Sequence, residues 1–151
     1  MKTDENNILT IENLTIGYEQ KKQQKIIAKG INFAIKKGTL NAVVGKNGIG
    51  KSTLLRTLSK VQKPLAGAIF INKKNSKAYL HQELAKTISL VLTERLPESQ
   101  LTVFEVIALG RQPYTNWIDS LTKKDLEKIH WAIEQTNLAA LQNNRCSELS
   151  D

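Results

Sequence analysis

Apolar and polar residues alternate in part from Ile8 to Ile16 (ILTIENLTI), as in a strand with one face buried. Gly17 and Tyr18 close that run, and the polar stretch from Glu19 to Lys25 reads as a hairpin loop. Strand character resumes over Ile26–Ile35, with Gly30 interrupting it, and Lys36-Lys37-Gly38 turns the chain into Leu40–Val44, an apolar run suited to a buried strand. Leu54, Leu55 and Leu58 then fall on one helical face. Lys63-Pro64-Leu65-Ala66-Gly67 is turn chemistry. A short strand over Ala68–Ile71, a short helix over Tyr79–Ala85 and a buried strand over Thr87–Leu92 follow. From Arg95 onward the pattern is helical. Thr102 with Glu105, and Thr122 with Asp125, each form a capping-box start. The first helix carries Phe104, Val106, Ile107 and Leu109 and stops at Gly110; the second has Leu126, Ile129 and Ile133 on its apolar face. His130, near that face, reads as a hydrogen-bonded structural histidine and Trp131 as the edge of a core.

Between the apolar run Leu40–Val44 and the helix lies Gly45-Lys46-Asn47-Gly48-Ile49-Gly50-Lys51-Ser52, which fits G-x-x-x-x-G-K-[ST] at every fixed position. Glycines let backbone N–H groups converge on phosphate oxygens that a side chain would block. The helix that follows points its positive end at the same anion. Lys51 would reach the β- and γ-phosphates, and the Ser52 hydroxyl would ligate Mg²⁺. With Thr53 one residue further on, the segment predicts a nucleoside triphosphate site.

Composition changes this picture little. A length of 151 residues bounds about one domain. Hydrophobic content of 40% and charged content of 24% fit a soluble globular protein. The first seven residues have no apolar signal region, and no apolar run approaches the ~20 residues that span a bilayer. A single cysteine, Cys146, excludes an intrachain disulfide and fits a reducing cytoplasm. The excess of 22 Lys+Arg over 14 Asp+Glu gives +8, with lysines crowded at 21, 22, 25, 29, 36 and 37. Such a surplus suits nucleic acid or anionic lipid head groups. Without zinc-finger spacing, a recognition-helix signature or an aromatic RNA-binding motif, no nucleic-acid partner is expected and the basic face reads mostly as a solubility feature.

The order of these parts resembles the ATP-binding subunit of an ABC transporter over essentially the whole chain. Tyr18 stands where that family has the aromatic of its A-loop, whose ring stacks on adenine; a strand-end tyrosine packed on the sheet is the other reading. Ser147-Glu148-Leu149-Ser150-Asp151 looks like the start of the family signature, in the variant LSDGE. Leu101–Tyr114, containing Leu109-Gly110-Arg111-Gln112-Pro113-Tyr114 and followed by Trp117, resembles the importers of iron-siderophore, haem and cobalamin type. The resemblance implies an α/β P-loop NTPase of ABC type: a mixed β layer, a strand–P-loop–helix core and a helical subdomain, divided as 1–94 and 95–151. It also implies ATP and Mg²⁺ as ligands and a second, identical subunit whose γ-phosphate would meet Leu149, Ser150 and Asp151 in trans. An integral membrane permease, a substrate-binding protein acting indirectly, and a peripheral place on the inner face of the membrane complete the expectation.

Two departures qualify it. Where the family carries the glutamine of its Q-loop, this chain has Thr93-Glu94-Arg95; Thr93 offers an oxygen and Glu94 a carboxylate, but no amide. The chain also stops inside the signature, before the family's Walker B aspartate, catalytic glutamate and switch histidine. Neither Glu134 nor Glu148 adjoins the apolar strand that a Walker B carboxylate needs. In-line attack on a γ-phosphate requires a group to position water, and no catalytic residue is identified. The C-terminal part of the domain is expected to be missing, so two further readings stand. One is a non-catalytic nucleotide-binding fragment; the other is a soluble ABC-type ATPase not linked to transport.

Overall fold

The computed structural model describes residues 6–20, 23–91, 100–115 and 120–149, with only the backbone described at Gln20. It divides into two compact units, Met1–Leu84 with Ile88–Leu90, and Ala85–Thr87 with Val91–Asp151.

The first unit is built on β1 (Asn7–Gln20) and β2 (Gln23–Lys36), an antiparallel pair whose register runs from Asn7 opposite Lys36 to Gln20 opposite Gln23. The sequence reading ends the first strand at Gly17 and gives Glu19–Lys25 to a loop. Instead β1 runs on to Gln20 and β2 begins at Gln23, because cross-strand pairing satisfies the backbone polar groups there. After α1 (Lys51–Leu58), β3 (Ala66–Ile71) and β4 (Lys74–Asn75) complete a sheet of order β2-β1-β3-β4, and α2 (His81–Ala85) follows.

Alternation along β1 is imperfect for a definable reason. Ile11 and Leu14, three apart, lie opposite Phe33 and Ile31, two apart, so one extra residue is inserted at a bulge. Asn13 sits there with φ 47°, and its N–H donates to Asn32 Oδ1 at 2.8 Å. The slip keeps Ile11, Leu14 and Ile16 on the inner face, where they are buried with Ile69, Ile71 and Leu84. Leu54 and Leu58 of α1 pack against this cluster, whereas Leu55 is exposed.

Two expected strands do not form. No strand covers Leu40–Val44 or the described part of Thr87–Leu92, and Leu40, Val44 and Val91 are 100%, 88% and 94% exposed. Apolar composition makes a strand only where a neighbour takes its backbone hydrogen bonds and both faces are covered. Among the described residues no strand is laid beside either run.

The second unit joins α3 (Val103–Leu109) and α4 (Lys123–Gln135), and both begin with complete capping boxes. Residues 142–146 cross the start of α3. The N–H groups of Val103 and Phe104 donate to Asn144 and Gln142 carbonyls at 3.0 and 2.9 Å, and the Cys146 N–H donates to Leu101 O at 2.9 Å. These bonds serve N–H groups that a helix start leaves without intrahelical partners. Ile129, Ile133 and Val103 are buried, but Leu126 is 37% exposed. Asp125 takes the inner position beside it because Arg111 meets it there. Arg111 Nη2 and Nε lie 2.7 and 2.8 Å from Asp125 Oδ1, while the Thr122 hydroxyl and N–H donate to Oδ2 at 2.6 and 3.0 Å. His130 is exposed, its ring 5.9 Å from Phe104 in a tilted contact, and Trp131 is 59% exposed, not at a core edge.

The Thr122 hydroxyl, then the Arg111 guanidinium and the Thr122 amide, lower Asp125 from 3.8 to about 2. A depressed carboxylate stabilises the fold above its ordinary value, and that contribution disappears as pH falls through the lowered one. Asp125→Asn is therefore expected to lower the denaturant midpoint at pH 7. The gap from the parent should close between about pH 4 and pH 2, as denaturation curves across that range will measure.

Candidate functional site

At one end of the sheet the register shifts again. Ile16 lies opposite Ala28, but Gly17 lies opposite Ile26, which leaves Ile27 as an inserted residue on β2. Bulges re-aim side chains, and here Ile27 is turned onto the glycine-rich loop. A Cβ added at Gly50 would run into the Ile27 side chain, and Gly50 also holds φ 110°, in the left-handed region that glycine tolerates. Only a residue without a side chain lets β2 approach the loop this closely.

Gly50 is also the N-cap of α1 and brings no side-chain hydrogen bond to it, and the first turn of α1 has no acidic residue. The partial positive charge of the first-turn N–H groups is thus uncompensated by the helix's own side chains. Lys51 bends back across the loop, its Nζ donating to Gly45 O at 2.7 Å and Lys46 O at 3.0 Å. Ser52 is exposed and Thr53 is buried, with the Thr53 hydroxyl 2.8 Å from Tyr18 Oη. That hydrogen bond fixes the Tyr18 ring, 38% exposed, beside the start of the helix.

Tyr18, Asn47, Gly48, Gly50, Lys51, Ser52 and Thr53 line one cleft of about 520 Å³. Gly45 and Lys46 serve it indirectly, through the carbonyls that hold Lys51. Ile49 is 62% exposed and turned away, its methyl 3.2 Å from where a Gly45 Cβ would stand. Thr93, Glu94, Ser150 and Asp151 lie outside the described residues, as does Trp117. Leu149 is partly buried at the end of a 3₁₀ turn over Cys146–Glu148.

The residues fit a nucleotide with Mg²⁺. The cleft is lined by an aromatic residue, an ammonium-bearing side chain and the glycine-rich loop, with nothing within 4 Å of a Cβ built at Gly48. Mg²⁺ usually takes one or two protein oxygens and fills its octahedron with phosphate and water, so the exposed Ser52 hydroxyl would be enough to hold it from the protein side. The sequence reading misses Lys25 and Ile27, which also line the cleft. Their signal was available only through the hairpin register, which sets Lys25 directly opposite Tyr18.

Comparison with known families matches residues 28–151 to the family described as ABC transporter. The chain belongs to the ABC transporter family. The iron(3+)-hydroxamate import ATP-binding protein FhuC of Bacillus subtilis (strain 168) is 33% identical over 144 residues, covering 95% of this chain and 52% of that protein. An inward-facing transporter of metal-chelate type is 25% identical with a TM-score of 0.68, covering 96% of this chain and 51% of that one. A dimeric ATP-binding cassette solved with ADP and phosphate superposes with a TM-score of 0.76 at 22% identity, covering 94% of this chain and 63% of that one. The fold is that of the ABC-type P-loop NTPases, and the chain spans about half the length of the curated relatives it matches.

In that light, Arg111 of the importer-like stretch has a structural duty. It holds Asp125 and lies 3.9 Å from the centre of the Tyr114 ring. Beside it, Leu101, Phe104, Ala108, Leu109 and Leu121 line an apolar groove of about 340 Å³ along α3.

Proposed function

We propose that this chain is the nucleotide-binding portion of the ATP-binding subunit of an ABC importer for an iron chelate, haem or a related ligand. The cleft that unites Tyr18 with the phosphate loop carries the reading. In it Tyr18 receives the adenine, Lys51 and the loop amides receive the phosphates, and Ser52 supplies an oxygen to Mg²⁺. When bound, Mg²⁺ neutralises charge on the phosphate oxygens. The importer class is supported by the Leu101–Tyr114 stretch and by relatives such as FhuC.

A second copy of the subunit would close over the nucleotide with its Leu149–Asp151 segment; a cassette of the same fold is dimeric with ADP and phosphate bound. The apolar groove along α3 is the surface we assign to the permease, with the substrate-binding protein acting only through it. Among the described residues no helix is long and apolar enough to cross a membrane. A peripheral place at the inner face would follow from contact with the permease. Hydrolysis belongs to the complete dimer.

The test is titration of the chain with fluorescent ADP and Mg²⁺, then ATP turnover and ligand uptake by the full-length subunit with its permease. Saturable binding displaced by ATP, and turnover that rises with the permease, are expected. Failure of ATP to displace the probe overturns the nucleotide reading, and turnover without any permease dependence overturns the importer reading.

A further inference from the structure

We propose that Lys25 is a second cation of this cleft, acting on the phosphate nearest the base; the inference rests on the nucleotide reading above. Lys25 and Tyr18 are directly opposed on β2 and β1. Opposed residues of an antiparallel pair project from the same face with Cβ atoms roughly 5 Å apart, so the ammonium stem rises beside the aromatic platform. The bulge that follows turns Ile27 under Gly50, and Lys25 and Ile27 both line the cleft. β2 therefore supplies apolar support beneath the loop and a positive charge at its mouth.

The two lysines divide the cleft. Lys51 is drawn to the loop end by the Gly45 and Lys46 carbonyls, whereas Lys25 stands at the platform end. Among the described residues no carboxylate is paired with Lys25. A ligand with its planar ring on Tyr18 and its terminal phosphates on the loop must lay its first phosphate between them. A flexible ammonium suits that position, because it meets an anion as a point charge without demanding one orientation. Lys29, also on β2 and exposed, does not line the cleft and serves as the charge-matched comparison.

The full chain is titrated with fluorescent ADP and Mg²⁺ at low ionic strength. Lys25→Gln is expected to raise Kd roughly 2- to 5-fold, the upper range of a partly exposed charge contact. Lys25→Arg should stay near the parent, and Lys29→Gln should shift Kd less than about twofold. Added salt should narrow the Lys25→Gln gap. Displacement by inorganic pyrophosphate, which has no ring to rest on Tyr18, should be the same in parent and Lys25→Gln. An unchanged Kd in Lys25→Gln overturns the proposal, and so does an equal loss in Lys29→Gln or against pyrophosphate. If Lys51→Ala abolishes binding while Lys25→Gln does not alter it, this inference alone fails. If the parent chain binds no nucleotide, the reading beneath it fails as well.

Discussion

Lys51→Ala is expected to weaken nucleotide binding by roughly 30- to 1000-fold while leaving the fold intact. The ammonium is the only side-chain cation at the loop end of the cleft among the described residues, and charged hydrogen bonds of this kind contribute about 1.5–3 kcal/mol each. Its present bonds, to Gly45 O and Lys46 O, are exposed to solvent. Water can replace them, so the denaturant midpoint should move by less than about 1 kcal/mol. Fluorescent-nucleotide titration and chemical denaturation on the same preparation separate the two effects. A large loss of stability would mean that Lys51 holds the loop together rather than waiting for a ligand.

Gly50→Ala should damage both properties. Its φ of 110° costs a residue with a side chain about 1–3 kcal/mol, and its new Cβ would meet Ile27, an overpacking that adds about 1–3 kcal/mol. The loop can relieve the clash only by moving away from β2, which takes the amides off the cleft. Nucleotide affinity is therefore expected to fall with stability. Ile27→Ala separates the two causes: it removes the clash but not the backbone strain. The double variant should be more stable than the sum of the single effects by about 1–3 kcal/mol. Strict additivity in denaturation would show that Ile27 and position 50 do not meet.

These two residues also show what was legible beforehand. The glycine-rich loop is a contiguous motif whose chemistry is local, and both capping boxes are local too, since Thr102 with Glu105 and Thr122 with Asp125 need only three residues of spacing. Pairings across the chain were not legible. Lys25 faces Tyr18 only because the two strands meet with Gln20 opposite Gln23, and a run of polar residues gives no sign of that register. The Arg111–Asp125 pair joins residues on separate turns of chain, and it displaced Leu126 from the inner face that periodicity alone gave it. Leu40–Val44 failed for the opposite reason. Its composition is that of a buried strand, but a strand is a relation between two segments, and no partner stands beside it among the described residues.

The strap formed by residues 142–146 has a mechanical meaning. It is bonded to Leu101, Val103 and Phe104, and one 3₁₀ turn later the chain reaches Leu149. Phe104 is also a wall of the apolar groove. A push on that wall cannot tilt the head of α3 without dragging the strap along, and only Ser147 and Glu148 separate the strap from Leu149. The linkage is short, so a displacement of the groove wall is expected to reach Leu149 as movement rather than being lost in the chain between.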